Sequence, residues 1–238
     1  MFWLARCYNR IMRVLAIDTA LEACSAAVLD TERATIVAHE SLPMVRGHAE
    51  ALIPLIARVM EIARLTFTEI DRIAVTTGPG SFTGLRVGIS AARGIALASG
   101  KPAVGLSTLS AYAAPFIASD DTLPVVSVID ARHDHVYLQV FGPGGRTMVT
   151  PRIVPLREAL RVAATGAPRV IGTAANLLAA AWPIGERPPS LVEQRAAPDI
   201  DWVARLGAAA VETGSPPKPL YLRAPDAQPQ NAAQLARR

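Results

Sequence analysis

The stretch GPGSFTG, residues 78–84, has the composition that most directly suggests a ligand site. It follows a short apolar run and precedes a helical pattern, and the N–H groups of such a turn can receive an anion. A Walker A phosphate loop requires a lysine directly after its last glycine, and none stands here. The spacing of Gly78, Gly80 and Gly84 approaches the dinucleotide motif, but the next apolar run, PAVGLS, lacks the acid that would hold a ribose. The favoured interpretation is therefore a glycine turn capped by a hydroxyl group.

Histidines and aspartates are the other candidates for metal binding or acid–base chemistry. The histidines fall in separate sequence contexts, with no carboxylate partner at a recognisable spacing. The aspartates stand where this side chain commonly ends a turn or caps a helix. We therefore predict no catalytic and no metal-binding residue, and we leave cofactor-binding residues unassigned. The side chains considered are Asp18, His48, Asp130, His133, His135 and Asp199.

Composition limits the class of protein. Hydrophobic residues make up 51% of the 238 residues, but no run approaches the roughly 20 apolar residues of a membrane span. The opening residues lack the pattern of a secretory signal. Cys7 and Cys24 are too far apart for a zinc ribbon. The charge of +4 is almost all arginine and is spread along the chain, which is compatible with nucleic-acid contact without indicating it. We expect a cytoplasmic protein with no membrane segment.

Apolar periodicity predicts the elements that position these residues. Three strands, a helix, a strand, a helix and a strand imply an α/β fold, a mixed sheet of the ribonuclease-H type flanked by helices. The predicted strands of this half are 14–18, 25–30, 36–40, 73–77 and 103–106, and the helices are 49–64 and 83–99. Further helices are predicted at 156–164, 174–182 and 200–212, with a strand at 169–171.

The second half begins with an echo of the first. VLAIDTALEACSAAVL (14–29) and VSVIDARHDHVYLQVF (126–141) each carry an apolar strand that ends on an aspartate and is followed by a second strand. This pattern suggests an internal duplication, although two hairpins can also look alike by chance. We predict halves at 12–112 and 113–223. Residues 1–11 are an extension or a misassigned start, and residues 224–238 are expected to form a flexible tail.

The predicted helices at 49–64 and 83–99 carry more apolar or small surface than packing on one sheet requires. The first is apolar over about half its circumference, whereas packing on a sheet needs a stripe of about 100°. The second has small residues at every fourth position, a row on which another helix can approach closely. Another element of the same chain would explain the excess; a protein interface is the alternative. The interface residues predicted by periodicity are Leu52, Ile56, Val59, Met60, Gly84, Gly88 and Ala92.

The sequence closely resembles the TsaB family, also called YeaZ, collinearly over residues 12–223. The stretches that carry the resemblance are HAEALIPLI, GPGSFTGLRVGISAARGIA, VIDARHDHVY and PLYLR. The resemblance implies an actin-like, Hsp70-like (ASKHA) fold of two ribonuclease-H-like halves. It also implies a dimerisation subunit of the bacterial machinery that adds threonylcarbamoyl to a tRNA adenosine.

In that family the catalytic partner, TsaD, carries an HxxxH metal motif after a related glycine turn. The corresponding positions here are Thr108 and Tyr112, and a hydroxyl and a phenol are poor ligands for a transition metal. The resemblance thus implies a chain that is not an enzyme and binds no cofactor, with ATP and metal held by partner subunits. The implied partners are a TsaD-like catalytic subunit, a TsaE-like ATPase, tRNA through the complex, and a second copy when the chain is alone.

Two enzymatic alternatives come from other classes. An ATP-dependent kinase or hydrolase of the actin-like fold would need glycines in its phosphate-gripping hairpins, and DTALEACS (18–25) and DARHDHV (130–136) contain none. A metallopeptidase would need metal ligands that the sequence does not supply at a recognisable spacing.

Overall fold

The computed structural model describes residues 11–164 and 166–223, and its elements form two successive sets of five strands and three helices. The first set is β1 (Arg13–Asp18), β2 (Ala23–Asp30), β3 (Thr35–Pro43), α1 (His48–Ala63), β4 (Arg72–Gly78), α2 (Phe82–Ser99), β5 (Ala103–Ser107) and α3 (Thr108–Ser119). The second set is β6 (Val125–Asp130), β7 (His135–Phe141), β8 (Thr147–Pro155), α4 (Leu156–Ala163), β9 (Arg169–Ile171), α5 (Ala175–Ala180), β10 (Leu191–Glu193) and α6 (Ile200–Ala209).

The two sheets have the same topology. The strand order is β3-β2-β1-β4-β5 in the first and β8-β7-β6-β9-β10 in the second. In each sheet the first three strands are antiparallel, and the last two run parallel to the first strand. The predicted α/β fold of two ribonuclease-H-like halves is therefore confirmed, together with the duplication suggested by the sequence echo.

The third helix of each set packs against the sheet of the other set. Helix α3 contributes Leu109, Tyr112 and Phe116 to a core cluster with β6 and β7. Helix α6 contributes Val203 and Ala204, among others, to the cluster formed by β1, β2 and β4. The predicted boundary between residues 112 and 113 lies inside α3. Residues 1–10 and 224–238 of the predicted terminal segments lie outside the described residues.

The first sheet is buried on both faces. Alternate side chains of β1 point to opposite faces because a strand has a period of two. Leu15 and Ile17 face the cluster that includes α1 and α2, and Val14 and Ala16 face α6. This double burial explains why the strand appears in the sequence as a continuous apolar run.

A buried arginine ties α6 to the first sheet. Arg72, the first residue of β4, donates from Nη1 to the carbonyl oxygens of Gly207 (2.9 Å), Ala208 (3.1 Å) and Ala210 (2.9 Å) at the C-terminal end of α6. Its Nη2 donates to Glu212 at 2.6 Å. The cation meets the negative end of the helix dipole and its unpaired carbonyls.

The same arrangement recurs in the second half. Arg169, the first residue of β9, donates from Nη1 to the carbonyl of Phe116 at 2.7 Å, and from Nη2 to those of Asp120 and Leu123 (3.0 Å), where α3 ends. Burial lowers the pKa of the Arg169 guanidinium. Each half thus holds the third helix of the other through a buried arginine.

Candidate functional site

The GPGSFTG stretch connects β4 to α2 as a tight turn. β4 ends at Gly78, whose φ of 113° lies in the region that favours glycine, and the Gly78–Pro79 peptide bond is cis. Ser81 is the N-cap of α2, and its Oγ accepts from the N–H of Gly84 at 3.3 Å. The turn capped by a hydroxyl, which was the favoured interpretation of the sequence, is confirmed.

The space beside this turn is filled by the chain itself. The short turn between β1 and β2 lies against it: the Ser81 N–H donates to the Ala20 carbonyl at 2.7 Å, and the Thr19 hydroxyl donates to the Gly84 carbonyl at 2.7 Å. A Cβ added at Gly80, Gly84 or Gly88 would lie closer than 3.0 Å to Thr19 or Ala20. The glycines therefore allow the β1–β2 turn to pack on α2, at the position where a phosphate cradle would need open space.

A carboxyl group is enclosed beneath this contact. Asp18, at the end of β1, is fully buried, and its Oδ1 accepts from the Thr76 hydroxyl and from the Ala20 N–H. Its Oδ2 has no hydrogen-bond partner. Burial raises the pKa of Asp18 to about 6, although the bonds from Thr76 and Ala20 and the nearby His48 lower it in part.

The other acids considered in the sequence have structural positions. Asp130 ends β6 in an exposed position, where its Oδ1 accepts from the Arg132 N–H at 2.7 Å. Asp199 is the N-cap of α6 and accepts from the Asp201 N–H at 3.0 Å. The predicted turn and cap roles of these two aspartates are confirmed.

The histidines considered in the sequence lie at two separate places, one in each half of the chain. His48 is the first residue of α1, and its Nε2 donates to the carbonyl of Leu21 at 3.0 Å. His133 and His135 lie at the β6–β7 turn, where the Nδ1 of His135 is 2.7 Å from the carbonyl of His133. Across residues 11–164 and 166–223, no three metal-ligating side chains converge.

Thr108 and Tyr112, which the resemblance aligns with an HxxxH metal motif, are both buried in this chain. Tyr112 donates its hydroxyl to the Arg195 carbonyl at 2.9 Å, and burial raises the pKa of the phenol far above its ordinary value. A phenol held in its neutral form and already bonded is not available to a metal ion. Tyr112 instead joins α3 to the second half.

The residues predicted to contact a partner are placed in the core. All seven are buried within this chain, where the four from α1 pack over β2 and β3 and the three from α2 pack over β4 and the β1–β2 turn. The prediction is corrected for a physical reason: on an amphipathic helix the most regular apolar row faces its own sheet. The residues concerned are Leu52, Ile56, Val59, Met60, Gly84, Gly88 and Ala92.

The outward faces of the same two helices carry a second set of apolar and small residues. Ile53 on α1 is 57% exposed, and Leu97 on α2 is 86% exposed. Ala57 and Ser90 are also exposed, and a Cβ added at Gly94 would meet no atom within 4 Å. These five exposed residues, Ile53, Ala57, Ser90, Gly94 and Leu97, are here called the outer face of α1 and α2. Sequence periodicity missed it because Gly94 lies outside the four-residue row.

A surface cavity of about 600 Å³ lies at the other end of α2. Its walls include Arg93, Leu97, Lys101 and residues 212–216. An 18-residue helix is about 27 Å long, so the cavity is remote from the glycine turn. It borders the outer face of α1 and α2 rather than the glycine turn.

Comparison with known proteins identifies the family. A family model described as "TsaD: tRNA N6-adenosine threonylcarbamoyltransferase" matches residues 36–184. The chain is 40% identical over 126 residues to the tRNA threonylcarbamoyladenosine biosynthesis protein TsaB of Escherichia coli, an alignment that spans 53% of each chain. It is 34% identical over 225 residues to an uncharacterized protein of Mycobacterium tuberculosis, spanning 92% of this chain and 96% of that one.

The chain belongs to the TsaB family. A solved structure agrees: YeaZ from Pseudomonas aeruginosa is 29% identical with a TM-score of 0.73, covering 89% of this chain and 100% of that chain. The resemblance stated from the sequence is thus confirmed at the level of family and fold. Among the described helices of this TsaB-family chain, none is both long and apolar enough to cross a bilayer.

Proposed function

We propose that this chain is a non-catalytic subunit in the synthesis of threonylcarbamoyladenosine in tRNA, where it binds and activates a TsaD-like catalytic subunit. The relatives named TsaB in Escherichia coli and Haemophilus influenzae, at 40% and 36% identity, support the process. The match of residues 36–184 to the TsaD model supports descent from a common ancestor with the catalytic subunit. Two subunits of related fold can pair about an approximate twofold axis through equivalent surfaces.

The filled glycine turn is the observation that carries the non-catalytic role. An actin-like enzyme grips phosphate with glycine-containing hairpins, and the corresponding stretches 18–25 and 130–136 of this chain contain no glycine. Here Thr19 and Ala20 occupy the turn, and the carboxyl of Asp18 is buried under them with a pKa raised to about 6 by that burial. ATP and a metal ion are therefore assigned to the partner subunits, and this chain is proposed to hold neither.

The outer face of α1 and α2 is the proposed contact with the TsaD-like subunit. Ile53 and Leu97 supply exposed apolar area, and Gly94 allows a helix backbone to approach closely. The same face would join two copies of the chain when the partner is absent. A TsaE-like ATPase and tRNA complete the proposed assembly.

Mixing the purified chain with the TsaD-like protein of the same organism tests this proposal. The complex is measured by light scattering, and threonylcarbamoyl transfer to tRNA is assayed with the TsaE-like ATPase present. Leu97→Glu is expected to weaken association by at least about tenfold, because it buries a charge at an interface, and to lower transfer in parallel.

Ile184→Glu is the matched control, because Ile184 is likewise an exposed apolar residue but lies outside α1 and α2. It should leave association and transfer unchanged. Equal association by the Leu97 variant and the wild-type chain would overturn the proposed face. Turnover of ATP by the isolated wild-type chain would favour a kinase or hydrolase instead.

A further inference from the structure

An exposed aromatic and arginine cluster lies at the N-terminal end of α2, beside the glycine turn. The rings of Phe82 and Tyr221 stack with their centroids 5.6 Å apart. The Arg86 guanidinium lies 3.8 Å from the centroid of Phe82, and its Nε donates to the Tyr221 hydroxyl at 3.2 Å. Phe82 and Tyr221 remain 45% and 44% exposed. The pair is therefore held in a fixed geometry without being part of the core.

The PLYLR stretch extends this cluster across the two halves of the molecule. The N–H of Leu220 donates to the Thr77 carbonyl at the end of β4, at 2.8 Å. Two residues after Tyr221, the Nη1 of Arg223 donates to the Ala131 carbonyl at 3.1 Å. The segment thus runs from the glycine turn of the first half to the β6–β7 turn of the second.

The β6–β7 turn adds another exposed arginine to this surface. Arg132 is exposed and has a φ of 62°, and its own N–H is bonded to Asp130. Asp130 and Asp134 are the carboxylates of this turn, and Asp130 already accepts that bond. The resulting surface, here called the Tyr221 strip, consists of Phe82, Arg86, Arg132, Tyr221 and Arg223.

We propose that the Tyr221 strip binds RNA directly, by stacking an unpaired base of the tRNA on Tyr221 while arginines of the strip contact phosphates. The inference rests on the proposed function, which supplies tRNA as the nucleic acid. Proteins bind unpaired nucleotides through aromatic rings combined with basic groups along the backbone path. The strip provides a ring fixed by Phe82 and Arg86, so little side-chain freedom is lost on binding.

The chemistry of the strip favours RNA over a protein partner. A protein interface centres on a packed apolar patch from which charges are depleted, and the strip instead places Arg86 against Phe82 and Tyr221. Arg223 follows two residues after Tyr221 and bonds the β6–β7 turn that carries Arg132. A planar guanidinium recognises phosphate through several donors at once. The outer face of α1 and α2, with Leu97 and Ile53, has the composition of a protein interface.

Binding of fluorescently labelled, unmodified tRNA to the full chain, alone and in complex with the TsaD-like protein, tests the proposal. Tyr221→Ala is expected to weaken binding about tenfold through loss of one stacked base, whereas Tyr221→Phe keeps the ring and should bind within about twofold of the wild-type chain. Arg132→Glu should weaken binding and reduce its dependence on salt. Phe67→Ala is the matched control, because Phe67 is an exposed aromatic that precedes the start of β4, whereas the strip lies where β4 ends.

Light scattering of each variant with the TsaD-like protein separates the two proposals. Weaker tRNA binding with unchanged association supports the Tyr221 strip as an RNA-binding site. If no complex forms, weaker tRNA binding by the isolated variant supports it equally. Wild-type affinity in Tyr221→Ala, or no tRNA binding by the wild-type chain in either form, overturns it. Loss of association in Tyr221→Ala with unchanged tRNA binding would reassign the strip to a protein contact.

Discussion

The two hairpin turns that the duplication places at equivalent positions differ in their surroundings. In the first half the turn after β1 is covered by α2, and Asp18 at its start is completely buried. In the second half the turn after β6 is open, Asp130 is exposed, and residues 132–134 all have positive φ. One sheet topology therefore supports an enclosed aspartate after β1 and an exposed one after β6.

The helices at equivalent positions in the two halves also differ. Helix α2 has 18 residues and begins with a glycine turn that brings it against the β1–β2 turn, whereas its counterpart α5 has only 6 residues. Six residues make fewer than two turns of helix. The comparison teaches that the covering element, and not the sheet, decides whether a strand-end aspartate is a buried or a solvated group.

Glycine substitutions in α2 give the largest expected effect on the covered turn. Gly84→Ala should lower the free energy of unfolding by about 3 kcal/mol, because its Cβ overlaps the Thr19 carbonyl. The same substitution at Gly94, where a Cβ meets nothing, should raise it by up to about 1 kcal/mol through helix propensity. Urea denaturation followed by circular dichroism measures both. Equal stability of the two variants would mean that the β1–β2 turn moves freely away from α2.

Substitutions of the two buried arginines test whether the helix-end contacts that both halves share contribute equally to stability. Arg72→Met and Arg169→Met should each cost about 2–3 kcal/mol of stability, because charged donors are lost while the carbonyls they served stay largely enclosed. Arg157→Met replaces an exposed arginine and should change stability by less than about 0.5 kcal/mol. Thermal unfolding compares the three. A large loss at one arginine and none at the other would show that the pseudosymmetric contacts are not energetically equivalent.

The buried carboxyl group of Asp18 is expected to make the stability of the fold depend on pH. Since burial raises the pKa of Asp18 to about 6, its neutral form is favoured in the folded state. Its contribution to stability is complete below the unfolded pKa of about 4 and is lost as pH rises towards about 6, a change of up to about 2–3 kcal/mol. Asp18→Asn should remove this fall and be more stable than the wild-type chain at pH 8.

Asp130→Asn is the control for this measurement, because the amide oxygen can still accept the Arg132 N–H in an exposed turn. Its stability should differ from that of the wild-type chain by less than about 0.5 kcal/mol at pH 8. Unfolding free energies collected between pH 4 and pH 8 decide the matter. An unchanged fall with pH in Asp18→Asn would assign it to another group.

Sequence reasoning was most successful where an element has a simple apolar pattern. The strands β1 and β4 were predicted from short continuous apolar runs, and the helices α1 and α2 from apolar or small residues at helical spacing. Helix α3 was not predicted, since it lies between the two sheets, is apolar on nearly all sides and contains Pro115. The short strand β10 and the irregular strand β8 carry too few periodic residues to be distinguished from loops.

The candidate site divides in the same way. The sequence alone determined the family, the two-half fold, the capped glycine turn and the lack of a Walker lysine, because each depends on local residue types and spacing. Only the tertiary structure decided that Thr19 and Ala20 fill the glycine turn, that Gly88 and Ile56 face inwards, and that Tyr221 stacks on Phe82. These contacts join residues distant in the chain, and periodicity can identify an apolar face without identifying the atoms that cover it.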